Sequence, residues 1–260
     1  MPPTSSNNDL KSLLTPVCSQ NVVDFWFGHF ANGEEMIMPS QKAYTRWFSR
    51  DPEFDRACVE QFHPTLEGIR QRNLSADELL ELTNPASSLD WLGVILLLDQ
   101  ITRNCYRGSE SAVVFNVFDP LAREIALRAI SRRDVVESPE IKFYLARRMW
   151  FGLPLMHSED LKTHQAALRY FESMSQEVED LINDIGESIT LAEDGKKARA
   201  IFQQQPEAAR QLLANQVSFE KKHLVIIEKF GRYPHRNAAL GREPTAAEIE
   251  YLENGGEVFG

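Results

Sequence analysis

The chain has 260 residues, 43% of them hydrophobic and 10% aromatic, which is enough apolar material to close a substantial core. Its formal net charge of −10 at pH 7 argues against a general nucleic-acid binder, because neutralising a phosphate backbone needs a basic surface. The three cysteines are widely spaced, so they predict neither a disulfide framework nor a thiolate metal site, and they fit a reducing, cytoplasmic location. No stretch has the pattern of a signal peptide or a membrane span, so we expect no membrane partner.

The N-terminal part divides into a polar head and a helical domain. Residues 1–15 are polar and rich in proline and serine, and we expect a disordered head before a single domain over residues 16–260. Leu89–Ile101 is apolar almost all round, which predicts a helix buried at the centre of the domain. A buried strand is the alternative, but the length favours a helix. No stretch alternates apolar and polar residues, so the predicted fold class is all-α.

Start and stop signals predict further helices towards the C-terminus. Pro139 suits the first position of a helix that continues to Met149, and Ser158 suits the N-cap of a helix reaching about Met174. A long amphipathic helix follows over about residues 205–230, and a capping box at Thr245 opens the last helix, which a Gly-Gly pair ends. Residues 175–204 are the most polar interval, and their weak periodicity predicts a crossover, an insertion or a lid over the site.

Asp99 and Arg103 are charged residues in a region where the apolar pattern predicts burial. They are four residues apart, so on a continuous helix they share a face and can pair. Asn104 follows directly. A buried ion pair is a costly choice for stability, so a catalytic or ligand-binding carboxylate is one interpretation of this pair. The alternative is a structural network that fastens this helix to a neighbour.

A second constellation is His157, Ser158 and Glu159 at the start of a predicted helix. Free backbone N–H groups, an imidazole and a carboxylate gather there, an arrangement that suits anion binding or proton transfer. The alternative is that Ser158 caps the helix, Glu159 complements its dipole and His157 is held by packing.

The third constellation is a turn-rich loop over residues 230–242, which we name the arginine loop. It contains Arg232, Arg236 and Arg242, with His235 and Asn237 between them. Arginine offers a fixed fork of donors that matches a carboxylate or phosphate, and histidine titrates near physiological pH. We interpret the loop as facing an anion. The alternative is that its donors satisfy helix-end carbonyls and pair with acids elsewhere.

Cofactor and metal motifs are missing from the sequence. It contains no GxSxG elbow, P-loop or GxGxxG fingerprint. Four of the six histidines lie in the C-terminal half, but their spacings match no zinc signature. We therefore expect neither a cofactor nor a metal.

Several blocks, taken in order, resemble one protein family. They are Asp24-Phe25-Trp26-Phe27-Gly28, Trp47-Phe48, Leu97-Leu98-Asp99-Gln100, His157-Ser158-Glu159, and the run from Phe230 to Asn237 with Leu240-Gly241-Arg242. The family is domain of unknown function 924, found widely in bacteria and also in fungi. The resemblance implies an all-helical, tetratricopeptide-like fold of stacked antiparallel helices, and it implies no particular activity or catalytic residue set. The chain departs from the family's usual proline and phenylalanine at Ile101-Thr102, and its N-terminus looks fungal, which favours a role in specialised metabolism.

Two functions remain open. The first is a cofactor-independent enzyme that acts by acid–base catalysis on a small anionic or polar metabolite, in an isomerisation, cyclisation, elimination or hydrolysis. Its predicted catalytic residues are His157, Glu159, Asp99 and His235, and its predicted substrate-binding residues are Arg103, Asn104, Arg232, Arg236, Asn237, Arg242 and Trp47. The second is a non-catalytic module that binds a peptide terminus or an acidic partner through the same arginines. An enzyme requires one enclosed pocket, whereas a module spreads the arginines along an open groove.

Overall fold

The computed structural model describes residues 14, 16–185 and 192–259, and every regular element in these ranges is helical. The predicted all-α fold class is therefore confirmed for the described part of the chain. The predicted disordered head lies outside these ranges, except for Leu14, which is buried. No helix in the ranges is long and apolar enough to cross a membrane.

The helices are numbered in chain order within the described ranges. The α-helices are α1 Pro16–Phe27, α2 Gly33–Ile37, α3 Gln41–Phe48, α4 Pro52–Arg72, α5 Ala76–Thr83, α6 Ser88–Leu96, α7 Thr102–Cys105, α8 Ser111–Val113, α9 Asp119–Ser131, α10 Arg133–Val136, α11 Pro139–Lys142, α12 Leu145–Arg148, α13 Leu153–Met156, α14 Leu161–Ile182, α15 Glu193–Gln204, α16 Pro206–Phe230 and α17 Ala246–Glu253. The π-helical turns are Leu97–Ile101 and Val114–Phe118, and the 3₁₀ turns are Gly108–Glu110, Met149–Phe151 and Pro234–Arg236.

A continuous helical rod from Ser88 to Cys105 runs through the core. A capping box between Ser87 and Asp90 opens the rod, and residues 91–98 are buried, as their apolar pattern predicts. Helix α1 crosses the rod closely at Gly93, where an added Cβ would lie 2.3 Å from a backbone oxygen of α1. The rod thus carries its C-terminal polar residues into the interior.

Helices α14 and α16 form a long antiparallel pair. His164 near the start of α14 contacts Glu220 in the second half of α16, while Glu179 near the end of α14 contacts Arg210 near the start of α16. Helix α16 ends at Gly231, whose φ of +67° is the left-handed conformation that suits glycine. The chain then turns into the arginine loop.

The N-cap of α14 differs from the sequence prediction. Asp160, not Ser158, caps the helix, because its carboxylate accepts the Thr163 amide at 2.8 Å. Ser158 instead accepts the Asp160 amide through its Oγ at 3.1 Å. The prediction was wrong by two residues because both side chains are good caps, and the backbone conformation of the preceding turn selects between them.

Two more helix predictions need correction. Helix α14 passes Met174 and ends at Ile182, since Val178 keeps its apolar face buried. The segment predicted as one helix from Pro139 to Met149 breaks between α11 and α12. Of the polar interval 175–204, the first part extends α14 and the last part is α15, which packs against α2, α11 and α14. Its function as an insertion or lid stays a prediction.

Candidate functional site

The centre of the candidate site is a pair formed by Asp99 and His157. Asp99 lies in the first π-helical turn with 1% of its surface exposed, and His157 follows α13. The Nδ1 atom of His157 is 2.7 Å from Oδ1 of Asp99. Gln100 donates to the other carboxylate oxygen at 2.6 Å, so both oxygens of Asp99 are held.

The charges around this pair favour a neutral imidazole beside an ionised carboxylate. Burial alone would raise the pKa of Asp99, but His157 and Arg103 outweigh it and lower the pKa. Burial, followed by the charge of Arg103, lowers the pKa of His157 below its ordinary value. Nδ1 therefore carries the proton and donates a hydrogen bond to the ionised carboxylate of Asp99. Nε2 makes no hydrogen bond within the described residues, so it is the nitrogen available to a ligand.

Asp119, which the sequence analysis missed, links the rod to the arginine loop. The Nη2 atom of Arg103 lies 2.7 Å from Oδ1 of Asp119 and 3.5 Å from Oδ1 of Asp99. The Nη1 atom of Arg236 lies 3.3 Å from Oδ2 of Asp119 and donates to the carbonyl of His157 at 3.0 Å. In the sequence, Asp119 resembled an ordinary first-turn acid before a proline, so no local signal distinguished it.

Glu159 anchors the arginine loop to the turn before α14. Its carboxylate accepts two hydrogen bonds from Arg242, at 2.7 and 3.0 Å, and a third from the backbone amide of Tyr233 at 2.8 Å. Burial would raise the pKa of Glu159, but the bonds from Arg242 and Tyr233 lower it. With both oxygens occupied, Glu159 has the geometry of an anchor rather than of a proton carrier.

These groups meet at a cavity of about 320 Å³. Four predicted site residues line it or form its wall: His157, Glu159, Arg236 and Arg242, with Asp99 and Arg103 in contact behind them. The remaining lining residues are Phe115, Asn116, Asp119, Pro120, Arg123, Ser158 and Leu240. Residues from all three predicted constellations therefore meet at this cavity or directly behind its wall.

Both π-helical turns lie beside this cavity. The first contains Asp99, and the second contains Phe115 and Asn116 and ends directly before Asp119. A π-helical turn inserts an extra residue per turn, which rotates side chains out of the regular helical phase and is frequent at functional sites. Asp99, inside the first π-helical turn, and Asp119, directly after the second, have carboxylate oxygens within 4.8 Å of each other.

Arg232 and His235 of the arginine loop do not line the cavity. Arg232 donates to both oxygens of Glu248, at 2.6 and 2.8 Å, and so ties the loop to the capping box of α17. His235 packs against the rings of Tyr233 and Phe259, and burial followed by the nearby Arg236 lowers its pKa to about 4. His235 is therefore neutral at physiological pH.

Three other predicted residues also lie away from the cavity. Asn237 is buried, and its carbonyl accepts the backbone amide of Arg242 at 2.9 Å. Asn104 donates to the carbonyl of Gln100 at 3.0 Å. Trp47 donates to the carbonyl of Trp26 at 3.2 Å inside an aromatic cluster, because a large apolar ring is stabilised most by core packing.

A buried polar network behind the site was also missed. His164 contacts Glu220 at 2.8 Å through Nδ1 and the carbonyl of Ser158 at 2.8 Å through Nε2. Tyr233 donates to the carbonyl of Met156 at 2.6 Å. Burial raises the pKa of Glu220. The network holds both neighbours of His157, so the turn that carries the imidazole is fixed from behind.

A metal would have to compete with arginine in this site. Ligand atoms of Asp99, Asp119 and His157 all lie within 4.8 Å of one another. The guanidinium of Arg103, however, lies against both carboxylates. The arginine supplies the positive charge that a cation would otherwise supply, so the geometry does not favour a metal.

Comparisons with known proteins agree with the helical architecture. The family model described as a bacterial protein of unknown function, DUF924, matches residues 22–256. A solved structure of a protein of unknown function from Agrobacterium tumefaciens is 28% identical, with a TM-score of 0.57, over 92% of this chain and 98% of that chain. No curated protein matches the sequence. The family match spans most of the chain, and the protein therefore belongs to the DUF924 family.

Proposed function

We propose that this protein is a cofactor-independent enzyme that moves a proton on a small anionic or polar metabolite, with His157 as the acid–base group. The observation that carries the proposal is the contact of 2.7 Å between His157 Nδ1 and the buried carboxylate of Asp99, at the wall of a cavity. A carboxylate that holds one imidazole nitrogen fixes the ring and its tautomer, and it leaves the other nitrogen free to accept a proton.

The proton transfer would follow from this geometry. The Nε2 atom of His157 accepts a proton from the bound metabolite, and the imidazolium that forms keeps its Nδ1–H bond to Asp99. The negative charge of Asp99 stabilises the imidazolium, while Gln100 keeps the carboxylate in place. The same nitrogen returns the proton at another atom of the substrate or to a leaving group. General acid–base transfer of this kind contributes about 10² to 10⁴ in rate, which suits an isomerisation, cyclisation or elimination.

The partners of the arginines favour an enzyme over a binding module. A module that captures an acidic partner needs its arginines spread along an open surface. Here Arg232, Arg236 and Arg242 each lie against an acid of the same chain, and two of them line the cavity. Tetratricopeptide-like stacking, a fungal origin and a cytoplasmic location belong to the same set of proposals and rest on the sequence.

Hydrogen–deuterium exchange tests proton transfer without knowledge of the full reaction. The protein is incubated in D₂O with pooled small metabolites, and mass spectrometry records deuterium incorporation or loss of a compound. We expect wild-type protein to label or convert at least one compound, and His157→Gln to lower that rate by about 10² or more. The matched control is His63→Gln, since His63 is a half-exposed histidine on α4, away from the cavity. Equal rates for wild type and His157→Gln would exclude the proposed role of His157.

A further inference from the structure

Arg123 is an arginine without an acidic partner in the cavity wall. It lies on α9, one helical turn after Asp119, and residues four apart on a helix usually pair when their charges are opposite. Asp119 instead contacts Arg103 and Arg236. Within the described residues, Arg123 makes neither an ion pair nor a hydrogen bond. Hydrogen bonds from Thr163 are the main cause that lowers the pKa of Asp160, and the charge of Arg123 lowers it further. Since Asp160 acts on Arg123 only through its charge, the N–H groups of the guanidinium remain available to a ligand.

Arg236, which lines the same cavity, has one guanidinium edge without a hydrogen-bond partner within the described residues. The side chain is 6% exposed and lies against the rings of Phe115 and Tyr233, at 4.4 and 4.5 Å from their centroids. Its Nη1 atom is used by His157 and Asp119, but Nε is buried without a partner, and Nη2 makes no hydrogen bond within the described residues. Nε and Nη2 form one edge of the guanidinium, the edge that binds a carboxylate in a bidentate manner.

The residues that line the cavity or lie in contact behind its wall carry one more positive than negative charge; Asp160, which also feels the charge of Arg123, lies outside this set. Four arginines lie in or directly behind its wall, and they face three carboxylates. The acids are Asp99, Asp119 and Glu159, and the imidazole of His157 is neutral. The surplus matches one negative charge, as on a carboxylate, whereas a phosphate monoester carries about 1.5 to 2 negative charges at pH 7.

From these observations we infer that the cavity binds a monocarboxylate, held by the unpaired edge of Arg236 and by Arg123, with its proton-bearing atom next to Nε2 of His157. The inference rests on the proposed function and names its substrate class. Arg236 and His157 are joined by a hydrogen bond of 3.0 Å to the His157 carbonyl, so the carboxylate and the reacting atom belong to one short molecule. A cavity of about 320 Å³ is at the lower end of the usual range for ligand pockets, which agrees with a small acid.

Calorimetry and thermal shift at constant ionic strength test this class of ligand. The probes are acetate, lactate and benzoate, with malonate, inorganic phosphate and sulfate for comparison. We expect at least one monocarboxylate to bind saturably and more tightly than phosphate or sulfate. Arg123→Gln removes a guanidinium that makes no ion pair or hydrogen bond within the described residues, so we expect folding to be preserved and binding to weaken about tenfold or more. Arg236→Lys keeps the charge but loses the unpaired edge of the guanidinium, and it should weaken binding as well. Arg132→Gln, which changes an exposed arginine paired with Asp134, should leave binding unchanged.

Three results would overturn the inference: phosphate or sulfate binding more tightly than every monocarboxylate, Arg123→Gln binding like wild type, or no saturable carboxylate binding up to roughly 50 mM. If Arg236→Lys does not fold, carboxylate binding by Arg123→Gln alone decides whether the inference holds. His157→Gln separates this inference from the proposed function. Carboxylate binding that needs Arg123, without deuterium exchange on any compound, would support the ligand class and contradict the enzyme. Deuterium exchange on a neutral compound that needs His157 but not Arg123 would support the enzyme and contradict the ligand class.

Discussion

Glu159 and Arg242 are 83 residues apart in the chain and form a two-armed ion pair, with contacts of 2.7 and 3.0 Å. The pair fixes the arginine loop against the turn that carries His157. Because Tyr233 adds a third hydrogen bond to the same carboxylate, one acid positions both the start and the end of the loop. The wall of the cavity therefore depends on a contact between distant segments.

Glu159→Ala should lower the free energy of unfolding and loosen the attachment of the arginine loop to the cavity wall. It leaves the guanidinium of Arg242 without its partner in a site where both side chains are about a quarter exposed. Hydrogen bonds to charged groups contribute about 1.5 to 3 kcal/mol, so a loss of about 2 kcal/mol in the free energy of unfolding is expected. Urea denaturation measures it. The control is Asp134→Ala, which removes one partner of an exposed pair and should leave the midpoint unchanged; equal effects of the two variants would contradict the anchoring role.

Asp99→Asn should lower the pKa of His157 further. Asp99 raises that pKa by its charge and its hydrogen bond, against the lowering effects of burial and Arg103. Without the carboxylate the imidazolium is less stable, so the ring titrates at a more acidic pH and is a weaker base. NMR titration of the histidine ring signals measures this shift, and His157→Gln assigns the signal. A higher pKa of His157 in Asp99→Asn would contradict an ionised Asp99 that stabilises the imidazolium.

The protein should lose stability as the pH falls below about 6.5. Burial is the main cause that lowers the pKa of His223 to about 3 and that of His235 to about 4, from an ordinary value of 6.5. Between pH 6.5 and about 4 the unfolded chain therefore binds protons that the folded protein does not, and stability decreases towards acid. Each histidine contributes at most about 1.4 kcal/mol per pH unit.

The midpoint of urea denaturation, followed from pH 7 to 4.5, measures this slope. His223→Phe removes one titrating group while retaining an aromatic ring against Phe259, with which the imidazole stacks at a centroid distance of 3.5 Å. The slope should become shallower in this variant. An unchanged slope would show that other groups, such as the ionised acids of the ion pairs, dominate acid unfolding.

Gly93→Ala should destabilise the core strongly. The added Cβ would meet backbone atoms of Ser19 at 2.3 to 2.8 Å, and backbone cannot move aside as a side chain can. Overpacking of this kind costs about 1 to 3 kcal/mol or more. Gly33→Ala is the matched control, because nothing lies within 4 Å of its Cβ position and its φ is not positive. Thermal denaturation of the two variants should separate them clearly, and a neutral Gly93→Ala would contradict the close crossing of α1.

Divalent cations should not stabilise the protein through the acidic groups near His157. Arg103 lies against both Asp99 and Asp119, so a cation would first have to displace a buried guanidinium. Thermal shift with Mg²⁺, Mn²⁺, Zn²⁺ or Fe²⁺ should therefore match that with EDTA. A saturable increase in Tm that His157→Gln removes would show that the site does bind a metal.

The local features of the fold were predictable from the sequence. The buried rod follows from the uninterrupted apolar run around Gly93, and the last helix from the capping box at Thr245, which forms as expected. The pair of Asp99 and Arg103 also followed from their spacing, although Arg103 lies closer to Asp119 than to Asp99. A spacing of four residues predicts only that two side chains can meet, and an acid from a distant helix can meet them too.

The sequence by itself determined the all-helical class, the burial of the rod and three of the four segments that meet at the candidate site, because helical periodicity, caps and charge in an apolar run are local properties. Only the tertiary structure decided which charges pair. His157 meets Asp99 across 58 residues, and Arg236 meets the His157 carbonyl across 79. The physical reason is that a buried charge is stabilised by whichever opposite charge or dipole packing places beside it. Among the described residues, the same packing leaves Arg123 without an ion pair and places Trp47 in the core.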